Sequence, residues 1–235
     1  MSDLDQINVL TQNREQMEQV DPRFAKEKLY FYQNKTWKVL NEIRSNLSEE
    51  LTEDGARRLA LEIFEKHGVK KHWHKPYIRF GKGTTLTFHE PLQPEYTLKK
   101  DDAVYIDIGP IWLDQDSGLL FEGDVGETFV FGENKEIQAC ADTAKGLFLE
   151  VQDQWQKQKL SGKEIYNYLQ KRTLELGYIF VGKVDGHRTG DFPHQKYSKE
   201  RLAKLDFCPN SSLWVLEIQI NDPQLRFGAF YEDIL

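Results

Sequence analysis

The stretch that decides the fold is YIDIGPIWLDQDSGLLFEGDVGETFVFG, Tyr105 to Gly132. Asp107 follows the apolar run AVYI and Asp124 opens DVGETFVF, so two acids fall within sequence that otherwise reads as half-buried β-strand. A carboxylate placed there is costly to bury unless it is paired, hydrogen-bonded or bound to a cation. Two of them facing one space point to a metal.

The chain around this stretch has 235 residues, 39% of them hydrophobic and 12% aromatic, enough to bury a substantial core. No Pro/Ser-rich linker divides it. The expected organisation is a polar N-terminal arm over residues 1–24 and one catalytic domain over residues 25–235. A net charge of −7 without a basic block argues against nucleic acid as a partner. MSDLDQINVL lacks the basic-then-apolar order of a signal peptide, and no run of about 18 apolar residues occurs, so a cytoplasmic protein without membrane contact is expected. Cys140 and Cys208 lie far apart with no CxxC spacing and read as small apolar residues rather than a disulfide or a zinc ribbon.

Apolar spacing predicts a helix over Lys28–Leu47 and a second over Glu53–Lys66, capped by Thr52 and stopped at Gly68. Strands are expected at YIRF, at TTLTFH with His89 at its end, and at AVYIDIG. Beyond the opening stretch, helices are predicted over Glu136–Lys157 and from the Ser161 cap to Gly177, then strands within YIFVGKVDGHRTGDFPH, LWVLEIQI and FGAFYEDIL. Helices followed by carboxylate-bearing strands thus occur twice. The first half ends in Asp107 and Asp124, and the second supplies His187, Glu217 and Glu232.

Four carboxylates and one imidazole are mostly hard donors, too acidic for a structural zinc and too rich in protein ligands for a typical magnesium site. Four negative charges around one divalent ion would repel one another, whereas two ions about 3.5–4 Å apart would balance them. The expected cofactors are two divalent metal ions, from Mn, Co, Fe or Zn. Such a pair activates water and polarises a carbonyl. Further upstream, VKKHWHKPYIRFGKG crowds His72, Trp73 and His74 together, as a pocket wall with His74 contacting substrate or as a solvated basic turn.

Taken in order, IDIG with Asp107, GDVGETFVFG with Asp124, DGHRTGDFPH with His187 and His194, WVLEIQI with Glu217 and GAFYEDIL with Glu232 resemble the metal signature of the pita-bread metallopeptidases. That family includes methionine aminopeptidases, aminopeptidase P and prolidases. The resemblance runs from about Phe80 to the C-terminus. It implies an α+β pita-bread fold, a pseudo-twofold pair of helix-plus-antiparallel-strand halves around a central metal site. It further implies that Asp107 holds one metal, Asp124 and Glu232 bridge, and His187 and Glu217 hold the other. Glu217 would also shuttle a proton, His89 would bind substrate, and His194 would stabilise the tetrahedral intermediate.

Departures from the family pattern bear on substrate. Asp107 and Asp124 stand further apart than in small methionine aminopeptidases, with LDQDSG lengthening the turn toward the expected mouth of the site. Arg188 and Thr189 interrupt a usually glycine-rich run, so Arg188 is a candidate for a substrate carboxylate, ribose hydroxyl or phosphate, or for a salt bridge to Asp185 or Asp191. No cysteine stands between Trp73 and Phe80, where methionine-specific relatives line their thioether pocket. Only about 25 residues precede the first helix, which reads as a stand-alone catalytic domain. The expected activity is hydrolysis of an amide bond next to a free peptide terminus, of Xaa-Pro aminopeptidase type, by a monomer or homodimer. The alternatives are a methionine aminopeptidase-like enzyme, a hydrolase of a non-peptide C–N bond, and a non-catalytic peptide- or protein-binding module.

Overall fold

The computed structural model describes residues 14–189 and 198–235. Two long helices precede the first strands, α1 (Lys26–Ser45) and α2 (Glu53–Lys66). Leu29, Tyr32, Thr36, Val39, Leu40 and Ile43 of α1 are buried at the three- and four-residue spacing of one helix face. Thr52 caps α2 as expected, its hydroxyl accepting the Gly55 N–H at 3.0 Å. There follow β1 (Lys71–His72), β2 (Tyr77–Phe80), β3 (Asp102–Ile108), β4 (Pro110–Leu113), β5 (Leu120–Glu122) and β6 (Val125–Phe131). The second half begins with α3 (Lys135–Gln158) and α4 (Gly162–Glu175), the latter opened by a Ser161/Glu164 capping box. It ends in β7 (Ile179–Phe180), β8 (His187–Arg188), β9 (Trp214–Asn221) and β10 (Gly228–Ile234).

The main sheet runs β2-β3-β6-β10-β9-β7, with β8 also on β9, and β1, β4 and β5 make a smaller sheet. Every pairing in the main sheet is antiparallel. Successive side chains of a strand point to opposite faces. Val104, Ile106 and Ile108 of β3 therefore pack under α1 and α2, and Leu216, Ile218 and Ile220 of β9 pack under α3 and α4. Tyr105 and Asp107, Phe230 and Glu232, and Glu217 turn to the other face. With α1 to α4 packed on one side, the opposite side is left for chemistry.

One expected strand is not there. The segment TTLTFH forms a 3-10 turn at Gly81–Thr85 followed by irregular chain. Its carbonyls go elsewhere than a ladder: fully buried Arg79 donates to the carbonyls of Thr87, Glu90 and Pro91 at 2.7, 2.6 and 3.1 Å. Gln219 and Asn221 of β9 take the carbonyls of Thr84, Leu86 and Thr85. Buried side-chain donors thus satisfy this segment, and β-propensity loses to them.

Gly123 is where α1 meets the loop into β6. A Cβ there would lie 1.9 Å from Thr36 Oγ1 and 3.0 Å from Trp112 Nε1, two atoms joined by their own 2.9 Å hydrogen bond. Gly123→Ala is expected to lower stability by about 1–3 kcal/mol through overpacking. Gly146→Ala, on an open face of α3 with nothing within 4 Å, should leave stability unchanged or raise it by up to about 1 kcal/mol. Urea unfolding of the two variants checks the difference, and equal effects would contradict the packing described.

Candidate metal centre

The strand register builds the site. Asp107 stands opposite Gly126, Gly126 opposite Glu232, and Glu232 opposite Glu217, so three carboxylates from β3, β10 and β9 lie in one row across the sheet. Gly126 keeps the row open, since a Cβ there would lie 2.3 Å from the Phe230 ring. Asp124 sits immediately before β6. His187 arrives on β8, opposite Val215 and so two residues along from Glu217. Together with Trp73, His74, Tyr77 and Phe88 these residues line a cavity of about 150 Å³.

Asp124 divides its two oxygens between the two ends of this row. Oδ1 lies 3.2 Å from His74 Nε2, and Oδ2 lies 3.0 Å from His187 Nε2. Its backbone is clamped by Gln33 of α1, whose amide donates to the Asp124 carbonyl at 2.7 Å and accepts the Asp124 N–H at 3.2 Å. The same amide donates to Asp233 Oδ1 at 2.7 Å, and Trp37 Nε1 donates to Asp233 Oδ2 at 3.0 Å. Beside it, Asp107 Oδ2 accepts the Tyr105 hydroxyl at 3.1 Å. Asp107 Oδ1 is buried without a hydrogen-bond donor, although His74 Nε2 stands 3.2 Å away. On the other side, Glu217 and Glu232 each approach His187 Nε2 to 3.9 Å, and Glu122 lies 4.0 Å from its Nδ1.

Electrostatics follows from this crowding. Burial, opposed by His187 and reinforced by Asp107 and Asp124, pushes the Glu217 carboxyl up to about 7. Burial with Asp124 and Asp107 raises Glu232 well above the usual carboxylate range. Burial would lower both imidazoles, but the carboxylates outweigh it, raising His187 to about 10 and His74 well above its ordinary value. Asp124 is held below the ordinary range despite its burial, by His187 and His74. Positive charge is therefore what the cavity lacks, and a buried carboxylate oxygen without a donor is the signature that cations fit here. Three overlapping donor groups occur among the described residues: His74, Asp107 and Asp124; Glu122, Asp124 and His187; and His187, Glu217 and Glu232.

The structure brings Asp107, Asp124, His187, Glu217, Glu232 and His74 to one cavity. It does not bring His89 there. That residue is exposed, its ring against Phe88 at 4.1 Å, and Phe88 takes the place at the wall. Arg188 also departs from the substrate-binding expectation, because strand alternation turns it away from the side His187 faces. Its guanidinium is buried and donates to the carbonyls of Met17, Gln19 and Thr189, while Asp185 pairs with Arg201 instead. His194 and Asp191 lie outside the described residues. The LDQDSG turn does not line the cavity either: Asp114 is drawn onto α1 by Lys28 at 2.9 Å and Tyr32 at 3.0 Å. Gln33, Glu122, Tyr77 and Phe88 were not anticipated. For Gln33 a signal existed, an amide at a buried phase of the α1 apolar stripe.

An antiparallel sheet with helices on one face and a row of carboxylates and imidazoles on the other makes a cavity whose donors suit divalent cations. The sequence model of metallopeptidase family M24 matches residues 32–235, and the chain belongs to that family. Comparison with curated proteins gave no match. Among solved structures, the fold is shared with the X-Pro aminopeptidase of Thermotoga maritima, at TM-score 0.70 and 17% identity over 97% of this chain and 61% of that one. It is shared with the prolidase of Pyrococcus horikoshii at 0.67 and 18%, over 94% and 61%. The methionine aminopeptidase of Thermotoga maritima matches at 0.67 and 14%, over 92% of this chain and 94% of that one. The chain therefore spans about three fifths of the length of the first two, and the α+β pita-bread fold is established. No helix among the described residues is long and apolar enough to cross a membrane.

The protonation pattern predicts how a metal stabilises the fold. Without metal, native Glu217 holds a proton that the unfolded chain releases, so its stabilising contribution is full below about 4.5 and is lost as pH rises through about 7. His187 acts with the same sign, from about 6.5 up through about 10. Divalent ions replace these protons. The rise in Tm on adding Mn should therefore be larger at pH 8 than at pH 5.5, measured by thermal unfolding at both. A rise equal at the two values would contradict the assignment.

Proposed function

We propose that this chain is a peptidase that holds two divalent ions and hydrolyses the amide bond next to a free peptide terminus, with a preference for Xaa-Pro substrates. The observation that carries the two-ion reading is Asp124, whose oxygens face His74 and Asp107 on one side and His187 on the other. One carboxylate serving both sides is what a pair of ions requires. Asp107 and Asp124 would hold one, and His187, Glu217 and Glu232 the other, with Mn, Co, Fe or Zn all suited to this donor set. When bound, such ions supply an activated water and polarise the substrate carbonyl.

The chain's own residues supply the rest. Gln33 fixes the Asp124 peptide so that both carboxylate oxygens keep their directions. Glu217 stands at the end of the carboxylate row, where it takes a proton from water and returns it to the leaving nitrogen. By its resemblance to the family pattern, in spacing after His187 and in residue type, His194 is assigned to the developing oxyanion. Trp73, Tyr77 and Phe88 form an apolar wall around a small cavity, which favours a compact ring such as proline over a long side chain. The prolidase and X-Pro aminopeptidase among the structural neighbours support the same preference. The methionine aminopeptidase neighbour, matched over 94% of its length, makes N-terminal methionine the substrate to test beside it. The free cysteines Cys140 and Cys208 suit a reducing compartment such as the cytoplasm.

The test is a panel of dipeptides and tripeptides with proline or alanine second, together with methionine-initiated peptides, supplied with each metal in turn. Proline-containing peptides should turn over fastest, and Glu217→Gln should reduce kcat by at least about 100-fold, the scale of a lost general acid–base group. Turnover of methionine peptides alone would overturn the Xaa-Pro preference. No turnover of any peptide with any metal would overturn the peptidase reading and leave a binding module.

A further inference from the structure

We propose that His74 is itself a metal ligand, completing the Asp107/Asp124 side of the centre through Nε2. The assignment rests on the metal centre proposed above and extends its ligand set by a residue that lies outside the five-part signature.

The first observation is the orientation of the ring. His74 Nδ1 donates to the Lys75 carbonyl at 2.9 Å, which leaves Nε2 facing Asp107 Oδ1 and Asp124 Oδ1 at 3.2 Å each. In the metal-free chain a proton on Nε2 can sit between the ring and these two oxygens; a divalent cation that displaces it would take the same place, among three donor atoms. Histidine ligands hold their second ring nitrogen on a carbonyl or carboxylate in just this way. His187 does the same, with Nδ1 on the Arg188 carbonyl at 3.1 Å and Nε2 toward Asp124.

The second observation is separation. Donor atoms each about 2.0–2.2 Å from one ion lie about 3.0–3.4 Å from one another. The two distances from His74 Nε2 fall within that range. Asp107 is itself buried, and its Oδ1 has no donor, so an oxygen with an unused lone pair already points at the space His74 faces.

The third is the cradle. A Cβ on Gly109 would lie 2.8 Å from His74 Nε2, so only glycine between β3 and β4 lets the ring reach the carboxylates. The Trp73 N–H donates to the Gly109 carbonyl at 2.7 Å, and Tyr77 stacks on the His74 ring at 5.6 Å. The ring is thus placed from three sides. Each ion would then carry one imidazole, His74 on one side and His187 on the other, which shifts preference from Mg toward Zn, Co and Fe.

Two measurements test this on the intact chain. Calorimetric titration with Mn or Co should show one binding step weakened at least about tenfold in His74→Ala, the lower end of the loss seen even for partners one shell further out. Circular dichroism verifies folding, and His74→Gln serves if the alanine variant is unstable. Pulsed EPR of His187→Ala carrying one equivalent of Mn should still show coupling to a histidine nitrogen, now that of His74. Unchanged affinities in His74→Ala, or a raised KM for peptide with metal binding intact, would overturn the assignment while leaving the peptidase standing. Absence of nitrogen coupling in His187→Ala would overturn it as well. A wild-type chain that takes up no divalent metal would remove both.

Discussion

Four carboxylates buried on one face of an antiparallel sheet are the constraint on which the rest of this structure depends. Like charges a few ångströms apart in a cavity shielded from water repel strongly, and each gives up hydration to be there. Protons relieve the repulsion partially, as the raised Glu217 and Glu232 carboxyls show. Divalent cations bound among the oxygens would relieve it further. The sheet register fixes three of these groups in a row, and no single helix or loop could do so with the same rigidity.

Much of the remaining fold keeps that row in place. The apolar alternates of the same strands bind the sheet to α1 and α2 in one half and to α3 and α4 in the other. Glycine appears where side chains would intrude: Gly123 beneath Thr36, Gly126 within the row and Gly109 under His74. Gln33 and Asp233 carry the constraint from α1 to Asp124 and β10 through buried hydrogen bonds. The cavity walls come from less regular chain. Phe88 lies in the loop wrapped around Arg79, and Trp73 follows β1.

The architecture, and the acids and imidazoles that meet in the cavity, were legible in the sequence because both depend on local pattern. Strand periodicity placed Asp107, Glu217 and Glu232, and caps at Thr52 and Ser161 placed helices. What escaped depended on long-range hydrogen bonding. TTLTFH has the composition of a strand, yet the Arg79 guanidinium and the amides of Gln219 and Asn221 claim its carbonyls. Arg188 beside His187 looked like a substrate contact, but strand alternation sends it to the N-terminal segment. The LDQDSG turn looked like a specificity loop, and Lys28 and Tyr32, more than eighty residues earlier, draw it away from the cavity. His89 fitted the family pattern by spacing and residue type, and the neighbouring Phe88 faces the site in its place.

The sheet face is proposed as a preformed site for two divalent ions joined by Asp124. Elemental analysis of protein dialysed against Mn and then freed of unbound metal tests it most directly. Two equivalents per chain are predicted for the wild type, with loss of both tight sites in Asp124→Ala, because each side of the centre loses an oxygen. A wild-type chain that retains no metal, or an Asp124→Ala chain that retains two equivalents, would contradict the account.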